Sequence, residues 1–528
     1  MANAAWFLFD SDDDEATVKL KTSACVSGGD PPASAATHAY FAPCRAALWS
    51  SEAVTATSES FVAALVADAR ARVPAVAAGL RVGARDFAEA HVAADAILAA
   101  AYCAADADWP AVAQRAEDAR AAHTRRLERG NWPHAWWQRS HVFALGFRVA
   151  AAVSTSAVDE TSSDLGAVML EALSMATLAD SADEIPGWLG ACLRVAERRC
   201  LAIEAQGDKD EDEDDEDINT LDDNKHPPLT AATIRECSSS SSWMIPSRPP
   251  FDAPSIRDDR SIARVDALTL SVADFYARFV ATETPVILEK CATPAMGWAP
   301  TETWRDMRRL LSLENGTAGT RIVPVATGGF GEPGELGVTS LGRLVRKSLR
   351  RSNQGMFQTS SRLKQKGFKE HISTPSVAYM SQHALFHQIP ELQSFIAVPK
   401  FALGRLCPDT GAVNAWLGTE GTRTALHRDA YCNLLCQTAG FKYVRTYAAD
   451  QTRFLYPEET THRGGEDNTF SRSAVLVEAP DTEKFPKFAE ARFEEALLAP
   501  GDALFLPRGM WHYVRGLTTS FSVNFWWN

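Results

Sequence analysis

The chain has 528 residues, 46% of them hydrophobic, and a formal net charge of −14. Length sets a prior of two to four domains, and the apolar share is ample for packed cores, which excludes a wholly disordered or fibrous chain. The charge excludes little. The run Asp208–Asp223 holds eleven acids and one lysine, a net of −10, so −4 is left for everything else, and overall acidity selects no partner. Ten cysteines occur singly apart from Cys432-x-x-x-Cys436. That gives no paired framework for zinc and no dense disulfide pattern, so buried free thiols in a reducing compartment are expected. The opening MANAAWFLFDSDDDEA has no basic region and only a very short apolar run, and it is too acidic for a transit peptide. No stretch approaches the ~20 apolar residues that span a bilayer. The expectation is a soluble intracellular protein of nucleus and/or cytoplasm, not secreted, with Arg346–Arg351 as a weak import signal.

Residues 1–205 read as an all-helical N-terminal domain. Ala-rich segments surround Phe61, Leu65, Ile97 and Leu98, and Val142, Leu145, Val149 and Val153 repeat at helical spacing. Leu165, Val168, Met169 and Ala172 do the same after a cap at Asp164. Pro186 suits the first turn of a helix carrying Leu189, Leu193 and Ala196. Trp132, Trp136 and Trp137 read as a packed corner between helices rather than a ligand cage. From 206 to 260 the acidic run, Ser238–Ser242 and the proline clusters cannot bury enough apolar surface to offset ordering, so a disordered linker is expected.

From 261 to 528 the texture becomes short β-rich runs with turn punctuation. Pro285–Lys290 reads as a buried strand, Thr301–Leu311 as one helix capped by Thr301, and Arg321–Val325 as another strand. Between Arg343 and Lys369 lie nine Lys or Arg and no acid, read as a solvated helix followed by a flexible loop. Turns at Pro500–Asp502 and Pro507–Gly509 separate strands that end with Thr519–Trp527. Such a series suggests a double-sheet jelly roll or cupin-like barrel, and the whole chain is then α+β.

Within this region His427-x-Asp429 is followed 85 residues later by His512. Residues i and i+2 of a strand face the same side, so His427 and Asp429 project together, and a later strand can bring His512 alongside. Two imidazoles and a carboxylate bind one face of Fe(II) and leave the other positions open. Lys442, beyond a turn at Ala439–Gly440, adds specificity, because an ammonium inside a barrel is costly without an anionic partner.

The stretch from about Ala263 to Asn528 resembles the JmjC-domain (jumonji-C) oxygenases, and among them the JmjC-domain-containing protein 5 or lysine-specific demethylase 8 type. The matching strings are YMSQHALFHQIPEL, NAWLG, HRDAYCNLL, KYVRTY, FPKFAEARF, APGDALFLPRGMWHYVRGL and SFSVNFWW. The resemblance implies a double-stranded β-helix. It implies His427, Asp429 and His512 as the catalytic iron ligands, with 2-oxoglutarate and dioxygen as co-substrates. It further implies Lys442 on the distal carboxylate of 2-oxoglutarate, Tyr379, Thr424 and Asn433 as polar groups holding it, Trp526 as an aromatic beside it, and Trp416 at the substrate entrance. The implied partner is a protein or peptide (histone, ribosomal or regulatory), with no membrane and no direct nucleic-acid binding.

The resembled type is associated with both histone lysine demethylation and protein arginine hydroxylation. Hydroxylation of a protein side chain is the favoured reading here, since no histone-reader module is legible beside the barrel. Histone demethylation, a non-catalytic jelly-roll binding protein and a zinc hydrolase using the same ligands stay open as alternatives. One departure concerns arginine. Where that type carries an acid suited to a substrate guanidinium, this chain has Ala326, with Glu332 and Glu335 nearby in sequence.

Overall fold

A computed structural model describes residues 57–78, 84–127, 135–154, 169, 173, 188–207, 243–327, 336–358, 377–403, 406, 413–458 and 471–527. The chain divides near Arg199 into two compact units. Among the described residues, no helix is long and apolar enough to cross a membrane.

The first unit is helical, as its periodicity predicts. Helices α1 (Ser58–Ala78), α2 (Ala84–Ala105), α3 (Trp109–Leu127) and α4 (Ala135–Ser154) pack in succession, and α4 returns against α1. Phe61, Leu65 and Ala69 recur at four-residue spacing and are buried together with Ile97, Val142, Leu145 and Val149. A further helix, α5 (Leu189–Gly207), buries Leu189, Leu193 and Ala196. Just before it, the Trp188 indole N–H donates to Asp68 on α1 at 3.0 Å. The expected cap at Asp164, most of the helix after it, Pro186, Trp132 and the side chains of Trp136 and Trp137 lie outside the described residues.

The second unit holds fourteen described strands. They are β1 (Arg264–Asp266), β2 (Val286–Glu289), β3 (Ile322–Ala326), β4 (Leu336–Ser340), β5 (Tyr379–His383), β6 (Val413–Gly418), β7 (Arg423–Arg428), β8 (Cys432–Ala439), β9 (Lys442–Tyr447), β10 (Ser471–Arg472), β11 (Glu494–Leu498), β12 (Ala503–Leu506), β13 (Trp511–Gly516) and β14 (Ser520–Trp527). The larger sheet runs β1-β2-β12-β8-β14-β6-β5-β3-β4, and the smaller runs β10-β7-β13-β9-β11. Apart from β1–β2, β3–β4 and β5–β6, paired strands are not consecutive in sequence, and every pairing between named strands is antiparallel except β1 with β2. This is the jelly roll expected from the turn-punctuated runs.

Alternation along each strand separates two apolar layers. Val444, Val514, Leu435, Leu504, Leu506 and Ala496 join Tyr379 and Trp416 in one cluster between the sheets. Tyr443, Tyr447, Trp511, Tyr513 and Leu426 form a second cluster on the outer face of the smaller sheet. On β14 the outward residues Phe521, Phe525 and Trp527 pack against Trp304, Trp298 and Phe505. Trp527 is therefore core, whereas Trp526 turns inward.

Two sequence expectations need correction. The linker expected through residue 260 ends earlier. Trp243 and Ile245 are buried, and the Ile245 N–H donates to the Arg305 carbonyl at 2.9 Å. Two large apolar side chains suffice to pin this segment, although the polar composition around them hides it; residues 208–242 lie outside the described residues. The single helix expected at Thr301–Leu311 is two, α6 (Thr301–Arg305) and α7 (Met307–Leu311), separated by an extended Asp306. Thr301 is not the cap. The Asp306 side chain accepts from the Arg308 N–H and caps α7, a local bond that competes with helix continuation. The basic segment opens with helix α8 (Leu341–Gln358), whose Leu344, Val345 and Leu349 are buried, and 359–376 lie outside the described residues.

Candidate metal centre and its cavity

His427 and His512 face each other directly across β7 and β13, with ring centroids 4.1 Å apart. Beyond them the register slips. Val514 pairs with Thr424, so Tyr513 alone opposes both Ala425 and Leu426. Such a bulge inserts one residue and re-aims the side chains beyond it. Thr424 and His427, three apart, would otherwise point to opposite faces; with the bulge both point inward, while Leu426 joins the outer cluster. Asp429 lies one residue past the end of β7, and its carbonyl accepts the Gly509 N–H at 2.9 Å, which ties it to the turn before β13.

The imidazoles are oriented from behind. Nδ1 of His427 meets the Ala425 carbonyl at 2.8 Å, and Nδ1 of His512 meets the Met510 carbonyl at 3.0 Å. A carbonyl only accepts, so each Nδ1 carries the proton and each Nε2 presents a lone pair. Burial, with the neighbouring His427 ring, holds His512 down to about 4, so it is neutral at physiological pH. The two Nε2 atoms lie 3.5 and 3.7 Å from the Asp429 carboxylate oxygens, one oxygen each. One ligand atom from each of the three residues falls within 4.8 Å of the others. Ligands about 2.0–2.2 Å from a common ion at angles between octahedral and tetrahedral are separated by ~3–3.6 Å. The donor set and its spacing therefore fit a divalent transition metal held on one face.

This cluster opens on a cavity. Its polar lining includes Tyr379, Gln382, Thr424, Asn433 and Lys442, and its other walls are Trp416, Trp526, Leu435, Leu506 and Val514. Lys442, 2% exposed, sits at the start of β9 with no carboxylate or hydrogen-bond partner among the described residues. Desolvation lowers its ammonium to about 7. Its Nζ lies 5.8 Å from the centroid of the Tyr379 ring. The Tyr379 and Thr424 hydroxyls are 3.3 Å apart. Asn433 Oδ1 and Trp526 Nε1 are buried without partners among the described residues. Orphaned polar atoms this deep mark a place for a polar guest.

Residues 272–528 match the family described as a cupin-like domain. Over 153 residues the chain is 43% identical to lysine-specific demethylase 8 of Xenopus tropicalis, covering 29% of this chain and 33% of that protein. It is 33% identical over 242 residues to Jumonji C domain-containing protein 5 of Drosophila melanogaster, covering 44% and 52%. It is 33% identical over 263 residues to lysine-specific demethylase JMJ30 of Arabidopsis thaliana, covering 49% and 53%. This region, just under half of the chain, is thus similar to cupin-like domains and to the JmjC proteins named above. The chain spans between a third and about half the length of these relatives.

One cavity brings together the metal-ligand and co-substrate residues expected from sequence: His427, Asp429 and His512, then Tyr379, Thr424, Asn433, Lys442, Trp526 and Trp416. Sequence reasoning missed Gln382, which sits in left-handed backbone (φ 49°) at an irregularity in the β5–β6 pairing. Nothing in the string YMSQH signals that conformation. It also missed the β7 bulge. Gly418 is needed for a steric reason: a Cβ there would lie 2.7 Å from Tyr379 Cδ2 and 2.6 Å from Thr422 Cγ2. Gly418→Ala is expected to displace the Tyr379 ring, destabilising the domain by roughly 1–3 kcal/mol and weakening any ligand held beside Tyr379. Thermal melts and ligand titration check both.

Proposed function

We propose that this chain is an Fe(II)- and 2-oxoglutarate-dependent oxygenase that hydroxylates a carbon of a protein side chain. The observation that carries this reading is a His-Asp-His face sharing one cavity with a buried, uncompensated ammonium. When bound there, iron with 2-oxoglutarate and dioxygen supplies the oxidation, with succinate and carbon dioxide as co-products. His427 and His512 hold the metal as neutral Nε2 donors, and Asp429 contributes the negative charge. Lys442 receives the distal carboxylate, and the Tyr379 and Thr424 hydroxyls orient it. Trp526 Nε1, a donor, gains an acceptor on the co-substrate side. Leu435, Leu506 and Val514 exclude water, and Trp416 walls the entrance. The protein's contribution is position, since an ångström of misplacement costs on the order of a hundredfold.

The same centre serves two outcomes. A hydroxylated side-chain carbon is a stable alcohol, whereas a hydroxylated N-methyl group loses formaldehyde. Relatives named lysine-specific demethylase support the second outcome. Arginine as target lacks support from β3, where Ala326 pairs with Tyr379 and supplies no charge; Glu332 and Glu335 lie outside the described residues. The substrate class is a protein or peptide met in nucleus or cytoplasm. Iron-loaded protein given 2-oxoglutarate is expected to release succinate, and histone and ribosomal peptides incubated with it to gain one oxygen. Loss of a methylene would indicate demethylation. Equal succinate release by wild type and His427→Ala would leave a non-catalytic binding module as the reading.

A further inference from the structure

Asn524 lies on the inner face of β14, fully buried between β6 and β8. Its Oδ1 accepts the Trp416 indole N–H at 2.7 Å. An indole nitrogen only donates, so this bond fixes which end of the amide faces Trp416. The Nδ2 end is then buried with no partner among the described residues. A buried unpaired amide is a cost that an apolar side chain of the same volume would avoid. The Trp416 ring in turn rests on the Tyr379 ring, with centroids 5.9 Å apart at 43°. The Tyr379 hydroxyl meets Thr424 at 3.3 Å. A continuous series of contacts therefore runs from Asn524 on β14, through Trp416 on β6 and Tyr379 on β5, to Thr424 on β7, crossing from one sheet to the other.

We propose that Asn524 is a positioning residue for co-substrate binding: by anchoring the Trp416 indole it sets the Tyr379 ring, and through it the hydroxyl pair that orients 2-oxoglutarate. The inference rests on the oxygenase reading and deepens it. Asn524 touches neither the metal ligands nor Lys442 in any described contact, so its effect is exerted through Trp416. The indole bond adds a directional restraint at the ring's edge to its packing against Tyr379.

The test uses full-length protein labelled with ¹⁵N-indole tryptophan, with Trp416→Phe assigning the resonance. Asn524→Leu keeps the branching at Cγ and removes the acceptor; Asn524→Ser serves if the larger leucine does not fold. The Trp416 indole N–H is expected to shift and exchange faster in either variant. The KM for 2-oxoglutarate in succinate formation is expected to rise about tenfold, the size of one lost hydrogen bond, with kcat within about twofold. In the Trp416→Phe background the same substitution is expected to add less than about twofold, because residues acting through one contact are not additive. An unchanged indole resonance, or an equal KM effect in the phenylalanine background, overturns the proposal. Absence of succinate from the wild type would instead defeat the oxygenase reading, while the indole measurement still reports on the Asn524–Trp416 bond.

Discussion

His512→Ala is expected to abolish succinate formation, by at least on the order of a hundredfold to a thousandfold, since loss of even an outer partner of a metal ligand costs about 10–100-fold. The reason is geometric. His512 is the only member of the triad supplied by β13, and it faces His427 across the bulged β7–β13 pair. Without it, His427 and Asp429 remain as two neighbours on one stretch of chain. A second readout separates metal binding from chemistry. Saturating Mn(II) or Fe(II) under argon is expected to raise the wild-type melting temperature, because a ligand at 100 times its Kd stabilises by about 2.7 kcal/mol. The variant is expected to lose that increment while its metal-free melt stays close to wild type. A metal-dependent shift that survives in His512→Ala would place the ion elsewhere and remove the basis of the oxygenase reading.

The parts of the site readable from sequence were those carried by a fixed period or by an expensive residue type. His427-x-Asp429 announces itself through the two-residue alternation of a strand, and Lys442 through the cost of enclosing an ammonium. The jelly roll was legible from short runs and the glycine turns at Gly440, Gly501 and Gly509, all of which have positive φ. What stayed hidden depends on a partner strand. The β7 bulge exists only relative to β13, and it decides that Thr424 shares a face with His427. Gln382 acquires its left-handed backbone from the β5–β6 irregularity. Asn524 matters through Trp416, 108 residues away in sequence. The boundary near Trp243 and the break at Asp306 were lost for a different reason. In each, one or two residues override the average character of a longer window.

Lys442→Met is expected to make the ligand-free protein more stable and the enzyme inactive toward 2-oxoglutarate. The ammonium is buried with no countercharge among the described residues, and desolvation lowers it to about 7 from 10.5. Between those two values the unfolded chain binds more protons than the folded one, so wild-type stability rises with pH from about 7 to about 10.5. Below about 7 the full cost of charging the buried group is present, roughly a few kcal/mol. Methionine fills the space without that charge. Its melting temperature at pH 6.5 is therefore expected to exceed the wild type's, and the alkaline rise in stability to disappear. Co-substrate binding has the opposite dependence. A dicarboxylate pairs with the protonated amine, so the wild-type Kd for 2-oxoglutarate, measured with Mn(II), is expected to rise about tenfold per unit as pH climbs from about 7.5 to 9. The methionine variant is expected to bind at least on the order of a hundredfold more weakly, with a flat profile, because its partner carboxylate is buried unpaired. A wild-type affinity that does not change over this range, or a Lys442→Met protein that melts below wild type at pH 6.5, would show that this ammonium is not held in reserve for an anionic guest.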